Sequence, residues 1–257
     1  MNKVSLIIPT INSERDVRVL CQSIKELGLD DKVEAVFVDS DSKDNTVSVL
    51  KEFGFPKVIA LNEIVSKGKA RNIGIRNSTG DIVANLDSDV ELMKGWYEEL
   101  LRTMEYTDIV TGYASNPFDE KPLPRVSIYI NGQDITYPCC NVAHKRKVFD
   151  KVGLFDETQG QAEDVELNYR CVLNGYAIIY NPRMQVIHHQ RTTRKGEWKQ
   201  AFWNGEARYE LNKAHPELSK KHQHGLSFRN VVRLGFGALG YTFGRFYKRP
   251  GEKVRGV

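Results

Sequence analysis

The sequence lacks the features that mark chains other than ordinary globular proteins. Its 257 residues include four cysteines, and these lack the paired spacing of a zinc site. No stretch approaches the roughly 20 consecutive apolar residues that cross a bilayer, and the apolar run before Pro9 is too short for a signal peptide. With 40% hydrophobic and 27% charged residues, the chain is neither disordered, collagen-like nor coiled coil. We therefore expect a globular protein of the reducing cytoplasm.

Charge is divided unevenly along the chain. The net charge is +4, yet residues 1–190 carry 22 Lys and Arg against 28 Asp and Glu, whereas residues 191–257 carry 15 against 5. An acidic body with a basic tail suggests that the tail meets an anionic partner, such as a membrane surface or a nucleic acid. A solvated basic helix would explain the same composition.

Strands and helices alternate through the first half. Apolar runs at Val4–Ile8, Val33–Val38, Val58–Leu61 and Ile82–Leu86 predict four short buried strands. The segments between them have helical spacing or helix-favouring composition. This alternation predicts an α/β fold with one Rossmann-like, mixed and mostly parallel sheet flanked by helices.

The second half is less regular. Pro117–Pro138 predicts a loop or a short edge hairpin, and Glu163–Asn174 predicts a helix that ends before a glycine. Ala177–Tyr180 and Gln185–Ile187 predict two short strands, and an aromatic helix is expected at about Glu197–Lys213.

Polar side chains follow the predicted strands, where ligands bind in parallel sheets. Thr10 and Glu14 follow the first strand, Asp39 follows the second, and Asp87 and Asp89 follow the fourth. Two carboxylates that flank one residue can place oxygen atoms around Mg²⁺ or Mn²⁺. An isolated Asp-x-Asp is also common in solvated turns, so its position after a buried strand is what favours a metal site.

Several stretches together resemble the family 2 glycosyltransferases, which have the GT-A fold. They are Ser5–Glu14, Val38–Thr46, Lys67–Gly74, Thr79–Asp89, Val152–Asp156, Glu163–Asp164 and His188. The resemblance covers about residues 3–205. It implies a GT-A catalytic domain at residues 1–215, and composition predicts that a basic, aromatic helical tail follows at residues 216–257.

The resemblance implies transfer of a sugar from a UDP- or GDP-linked donor to an acceptor hydroxyl, with inversion. A sugar nucleotidyltransferase is the first alternative, but it would need a glycine-rich phosphate loop where this chain has Thr10–Glu14. A catalytically silent scaffold that binds nucleotide sugars is the second alternative. Dispensable Asp89 or Asp164 side chains would favour that scaffold.

The resemblance also implies which residues bind the donor. Asp89 would bind Mn²⁺ or Mg²⁺ directly, His188 would be a further ligand, and Asp87 would reach the ion through ribose or water. Ser40 stands where many relatives have a second aspartate, so the base, uridine or guanosine, stays open. Residues implied for the nucleotide follow a predicted strand or open a helix: Pro9, Thr10, Glu14, Asp39, Lys67, Arg71, Asp87 and Ser88.

An acidic pair would serve the acceptor. By resemblance, Asp164 is the catalytic base that takes a proton from the acceptor hydroxyl, and Glu163 orients the acceptor. Acidic residues are also favourable at the start of any helix, which is the structural alternative. A lipid phosphate acceptor would need no base, and Asp164 would then only orient it.

The tail suggests where the protein acts. Leu226–Lys248 mixes aromatic and basic residues, and the uncharged run between Arg233 and Arg245 is only 11 residues long. This composition favours a helix lying in a membrane surface, and packing on the catalytic domain or a homodimer contact is the alternative. We expect a cytoplasmic or peripheral inner-membrane protein whose acceptor is a sugar, a lipid-linked group or another hydroxyl. No nucleic acid partner is expected.

Overall fold

A computed structural model describes residues 3–117, 127–189, 194–220 and 228–246. Within these residues there are ten strands: β1 Val4–Thr10, β2 Val33–Ser40, β3 Lys57–Leu61, β4 Ile82–Leu86, β5 Val90–Leu92, β6 Ile109–Ser115, β7 Tyr129–Ile130, β8 Gln133–Asp134, β9 Asn141–Lys145 and β10 Ile178–His188. The same residues form eight α-helices: α1 Glu14–Glu26, α2 Thr46–Glu52, α3 Lys67–Arg76, α4 Trp96–Met104, α5 Arg146–Val152, α6 Glu163–Leu173, α7 Arg194–Ala214 and α8 Phe228–Phe246. A 3₁₀ turn occupies Pro216–Lys220.

Eight strands form one sheet in the order β3-β2-β1-β4-β9-β6-β10-β5, while β7 and β8 pair separately. The neighbours β3-β2, β2-β1, β1-β4 and β6-β10 are parallel. The remaining three pairs, β4-β9, β9-β6 and β10-β5, are antiparallel. The sheet is thus mixed and mostly parallel, and the fold predicted from the sequence is confirmed.

Helices cover both faces of the sheet because its central strands are apolar on both faces. In β1, Leu6 and Ile8 belong to the core cluster that includes Leu20 of α1. Ile7 points the other way and belongs to the cluster that includes Ala70 of α3. This two-sided burial is typical of parallel strands in α/β proteins.

Helix α3 lies unusually close to the sheet. A Cβ atom at Gly74 would lie 2.6 Å from Cγ2 of Ile7, so a larger residue would push the helix away. The close approach brings the first turn of α3, with Lys67 and Arg71, towards the ends of β1 and β4.

The second half departs from prediction in its strands. The two short strands predicted near residues 177–187 are one strand, β10, whose pairing with β6 is irregular between Asn181 and Gln185. That irregularity interrupts the alternation of apolar and polar residues that a single regular strand would show in its sequence. Pro117–Pro138, predicted as a loop or a short edge hairpin, contains the β7-β8 hairpin, and its residues 118–126 lie outside the described residues.

The predicted tail helix is present as α8 and packs along α7. The rings of Trp198 and Phe236 stack with centroids 5.4 Å apart. A Cβ atom at Gly240 would lie 1.7 Å from the carbonyl oxygen of Phe202, so the two backbones touch. Residues 221–227 and 247–257 of the tail lie outside the described residues. None of the helices in the described part of the chain has both the length and the hydropathy needed to cross a membrane.

Candidate functional site

The ends of β1 and β2 are tied together by Asp39. Its buried carboxylate accepts hydrogen bonds from Thr10 Oγ1 at 2.9 Å and from the Ser42 backbone N–H at 2.9 Å. The Ser42 hydroxyl in turn accepts a hydrogen bond from the Asn12 backbone N–H at 2.8 Å. Asn12 and Asp41 have φ values of 46° and 55°, which short polar side chains tolerate better than others. The loops after β1 and β2 are therefore joined by hydrogen bonds into one wall.

A pocket of about 190 Å³ opens between this wall and the start of α3. Its lining comes from the ends of β1, β2 and β4 and from α3, as the sheet topology predicts for a ligand site. Six of the residues predicted to bind donor or metal line it: Pro9, Thr10, Lys67, Asp87, Ser88 and Asp89.

The lining does not include the other four residues predicted to bind donor or metal, which are Glu14, Asp39, Arg71 and His188. Asp39 supports the pocket through Thr10, which does line it. The Glu14 carboxylate accepts a hydrogen bond from Asn45 Nδ2 at 3.1 Å and lies 3.7 Å from the Arg18 guanidinium. Direct contact of Asp39 and Glu14 with a nucleotide stays a prediction.

Four polar residues of the pocket were not among the predicted ligand residues: Asn12, Ser13, Asp16 and Ser40. The hydroxyls of Ser13 and Ser88 lie 3.2 Å apart. The only signal for these residues was their position at or soon after the ends of β1 and β2.

One buried arginine joins the two acidic motifs. Arg71, 1% exposed, donates to Asp87 Oδ1 at 2.7 Å and to Glu163 Oε1 at 2.6 Å. Lys67 Nζ lies 3.4 Å from Asp87 Oδ2, and the Asp87 carboxylate raises the pKa of Lys67. Burial raises the pKa of Asp87, but the Lys67 and Arg71 cations lower it by more, so this pKa lies well below its usual range. Asp87 is therefore ionised and has a cation on each oxygen.

Asp87, Asp89 and His188 form a candidate metal centre. Their potential ligand atoms all lie within 4.8 Å of one another. His188, the last residue of β10, pairs with Val90 of β5, and this register sets its ring beside Asp89. His188 Nε2 lies 2.9 Å from Asp89 Oδ1. Adjacent ligands of an octahedral ion bound at about 2.1 Å lie about 3 Å apart, so this spacing suits Mn²⁺ or Mg²⁺.

The protonation of His188 also fits a cation site. The ring is 5% exposed, and burial lowers its pKa. The hydrogen bond to Asp89 and the neighbouring Cys140 thiol outweigh burial and raise the pKa of His188 to about 10. The surroundings thus favour positive charge at this point, where a bound cation would replace the proton. Cys140 lies against this centre through the His188 ring.

The Glu163–Asp164 pair, which was predicted to serve the acceptor, opens helix α6. Asp164 Oδ1 accepts a hydrogen bond from the Val165 backbone N–H at 2.8 Å. Burial and then the neighbouring Glu163 carboxylate raise the pKa of Asp164 to about 7. Such a carboxyl can accept a proton near neutral pH. Gly68 packs tightly at the start of α3, since a Cβ atom there would lie 3.2 Å from the backbone oxygen of Asp156.

The chain matches the family model described as glycosyl transferase family 2 over residues 5–153. It is 27% identical over 235 residues to the pre-mycofactocin glycosyltransferase of Mycobacterium tuberculosis, covering 79% of this chain and 46% of that protein. It is 29% identical over 226 residues to the probable glycosyltransferase YdaM of Bacillus subtilis, covering 77% of this chain and 53% of that protein. The chain spans about half the length of these relatives.

Two solved structures share its fold. Mannosyltransferase PcManGT from Pyrobaculum calidifontis, in complex with GDP-Man and Mn²⁺, superposes with a TM-score of 0.66 at 16% identity, over 97% of this chain and 76% of that chain. S. aureus TarS 1-349, in complex with UDP-GlcNAc, gives a TM-score of 0.69 at 18% identity, over 95% and 74%. The GT-A fold predicted from the sequence is thereby confirmed.

Proposed function

The chain belongs to glycosyl transferase family 2, and from this premise we propose that it transfers a sugar from a nucleoside diphosphate sugar to an acceptor hydroxyl. Mn²⁺ or Mg²⁺ is the proposed cofactor, and inversion of the anomeric carbon is the proposed outcome. One observation carries the proposal. A single buried side chain, Arg71, joins the metal-side Asp87 to the acceptor-side Glu163, so that both halves of a transfer site are built around one residue.

The donor would lie in the pocket between β1, β4 and α3. The Lys67 side chain is 58% exposed and remains available to a diphosphate. Thr10, fixed by Asp39, and Ser40 both line this pocket and offer polar groups to a nucleoside. The shared fold with proteins bound to UDP-GlcNAc and to GDP-Man supports a nucleotide-sugar donor, and either base remains within the proposal.

Asp89 and His188 would hold the cation, with Asp87 beside them. When bound, the ion would neutralise charge that develops on the departing diphosphate. Lys67 would add a second positive charge on the pocket side of Asp87. Arg71 already forms ion pairs with Asp87 and Glu163, so we assign it to positioning these carboxylates rather than to binding the donor.

Asp164 would act as the base. It would take the proton of the acceptor hydroxyl as that oxygen bonds to the anomeric carbon, while the bond to the diphosphate oxygen breaks and the nucleoside diphosphate leaves with the electron pair. One such displacement inverts the anomeric configuration. Glu163, held by Arg71, would orient the acceptor, and its negative charge helps to keep the pKa of Asp164 near 7.

Calorimetric titration tests this proposal. UDP, GDP and their sugar conjugates would be titrated with and without Mn²⁺ into the wild type, Asp89→Asn and the control Asp150→Asn, which changes an exposed residue of α5. We expect metal-dependent binding of one nucleotide, weakened at least about tenfold by Asp89→Asn because a ligand is lost, and unchanged by Asp150→Asn. Absence of binding for every nucleotide would overturn the proposal.

A further inference from the structure

Helix α8 has one packed face and one uncovered face. On the packed face, Gly240 and Gly244 are buried against α7, and a Cβ atom at Gly244 would lie 3.1 Å from the Tyr209 ring. On the other face, Leu239 is 61% exposed and Phe246 is 80% exposed. These two residues are seven positions apart and therefore lie on one stripe of the helix. The helix exposes large apolar side chains although it is already anchored.

The exposed stripe is poor in charge. Among the residues of α8 whose side chains are described, it consists of Gly235, Ala238, Leu239, Thr242, Arg245 and Phe246. Arg245 is its single charged residue. A mostly apolar stripe that ends beside an arginine is typical of a helix that lies in the interface of a bilayer.

The sequence around α8 is strongly basic. Residues 218–251 contain seven Lys and Arg and no Asp or Glu. Such a segment is attracted to anionic lipid headgroups, and the attraction grows with each basic residue near the surface. Two copies of this segment would instead bring its basic residues together, and like charges oppose self-association. Charge therefore selects an anionic surface over a second copy of the chain.

The helix pair is fixed to the catalytic body. Ala207 and Leu211 of α7 are buried in the core cluster that also contains Ile7 of β1. The first residue of α7, Arg194, comes six positions after His188 of the candidate metal centre. A membrane bound through α8 would thus lie beside α7, which begins six positions after the end of β10, the strand that carries His188.

From these observations we propose that the exposed face of α8 binds the surface of an anionic bilayer, with Leu239 and Phe246 inserted among the lipid headgroups. The inference goes beyond the proposed transfer reaction and does not depend on it. Its test measures lipid binding alone, so failure of one proposal leaves the other standing.

Vesicle sedimentation provides the test. The full chain would be mixed with vesicles of phosphatidylcholine alone or of phosphatidylcholine with phosphatidylglycerol, at low and at high salt. We expect at least about tenfold stronger binding to the anionic vesicles at low salt, and a loss of binding as salt screens the charges. Leu239→Glu combined with Phe246→Glu should weaken this binding at least about tenfold, because both inserted side chains become charged.

The matched control is Tyr106→Glu. Tyr106 is 64% exposed, follows α4, and lies away from α7 and α8 in sequence. It adds one negative charge at a similarly exposed side chain, as Leu239→Glu and Phe246→Glu each do singly, and should leave vesicle binding unchanged. Circular dichroism of all variants would show that the fold is intact.

Three results would overturn the inference. The first is no binding of the wild type to anionic vesicles at low salt. The second is equal weakening by the Tyr106→Glu control. The third is a dimer in light scattering that Leu239→Glu with Phe246→Glu converts to a monomer while vesicle binding persists, because the face would then belong to a second copy.

Discussion

Replacing Asp164 by asparagine is expected to abolish sugar transfer and also to stabilise the fold. Burial and then the Glu163 carboxylate raise the pKa of Asp164 from 3.8 to about 7, so the folded chain holds a charge there at a cost. Asparagine keeps the shape of the side chain and can still accept the 2.8 Å hydrogen bond from the Val165 N–H. It carries no charge and cannot accept the proton of an acceptor hydroxyl.

The size of the stability gain follows from linkage between protonation and folding. A rise in pKa from 3.8 to about 7 corresponds to about 4 kcal/mol at a pH well above 7. Asp164 is partly exposed, and solvent screening reduces this penalty, so we expect a gain of about 1 to 2 kcal/mol. That gain corresponds to a rise in Tm of about 3 to 6 °C for a chain of this size.

The sign of the pH dependence is fixed by the same shift. The pKa of Asp164 is higher in the folded than in the unfolded chain, so its favourable contribution is complete below about pH 4 and is lost as the pH rises to about 7. The difference in unfolding free energy between Asp164→Asn and the wild type should therefore increase over this interval and stay constant above it. Transfer by the wild type should rise over the upper part of the same interval, as the base loses its proton.

The gain in stability is measured by thermal unfolding at acid and at mildly alkaline pH, monitored by circular dichroism. The ionisation of the base is measured by donor turnover over a series of pH values. Asp150→Asn is the control, since it removes a carboxylate from the exposed face of α5 and should change neither quantity. Equal stability of Asp164→Asn and the wild type at alkaline pH would refute the reasoning, because Asp164 would then carry no unfavourable charge.

Two further changes test the metal centre and the buried link. His188→Gln should weaken Mn²⁺ binding at least about tenfold, measured from the free Mn²⁺ signal in electron paramagnetic resonance; an unchanged affinity would remove His188 from the ligand set. Arg71→Met leaves two carboxylates without their shared partner and should cost about 3 to 5 kcal/mol of unfolding free energy, measured by denaturant titration. A cost under about 1 kcal/mol would show that solvent, and not Arg71, satisfies those carboxylates.

The sequence was most informative where a strand is a plain apolar run. The four strands predicted in the first half correspond to β1 to β4, within three residues at each end. Strand β9 was not predicted, because its sequence Asn-Val-Ala-His-Lys contains two polar residues that are nevertheless buried. The Asn141 side chain accepts a hydrogen bond from Trp96 Nε1 at 2.9 Å and donates to the carbonyl oxygen of Met184 at 2.8 Å. Such partners are 45 and 43 residues away and leave no local pattern.

The candidate site also combines features that have a local sequence signal with contacts that have none. Carboxylates that directly follow strands were visible, because sheet topology assigns that edge to ligands. The partners of Arg71 were not visible, since they lie 16 and 92 positions away, and the family resemblance implied the nucleotide for both Lys67 and Arg71. In the structure Lys67 is exposed to the pocket and Arg71 is buried between carboxylates. The resemblance therefore identified the two cations but could not separate their surroundings.

The charges of the site argue that metal binding and base catalysis are coupled. The Asp-x-Asp and Glu-Asp motifs supply four carboxylates, while Lys67 and Arg71 supply two cations. A divalent ion would balance the remaining negative charge. Because Coulomb interactions act across the buried network, that ion would also favour the ionised form of Asp164 and lower its pKa. The pH at which transfer begins should then be lower with saturating Mn²⁺ than with limiting Mn²⁺, and an identical onset in both would mean that the two halves of the site titrate independently.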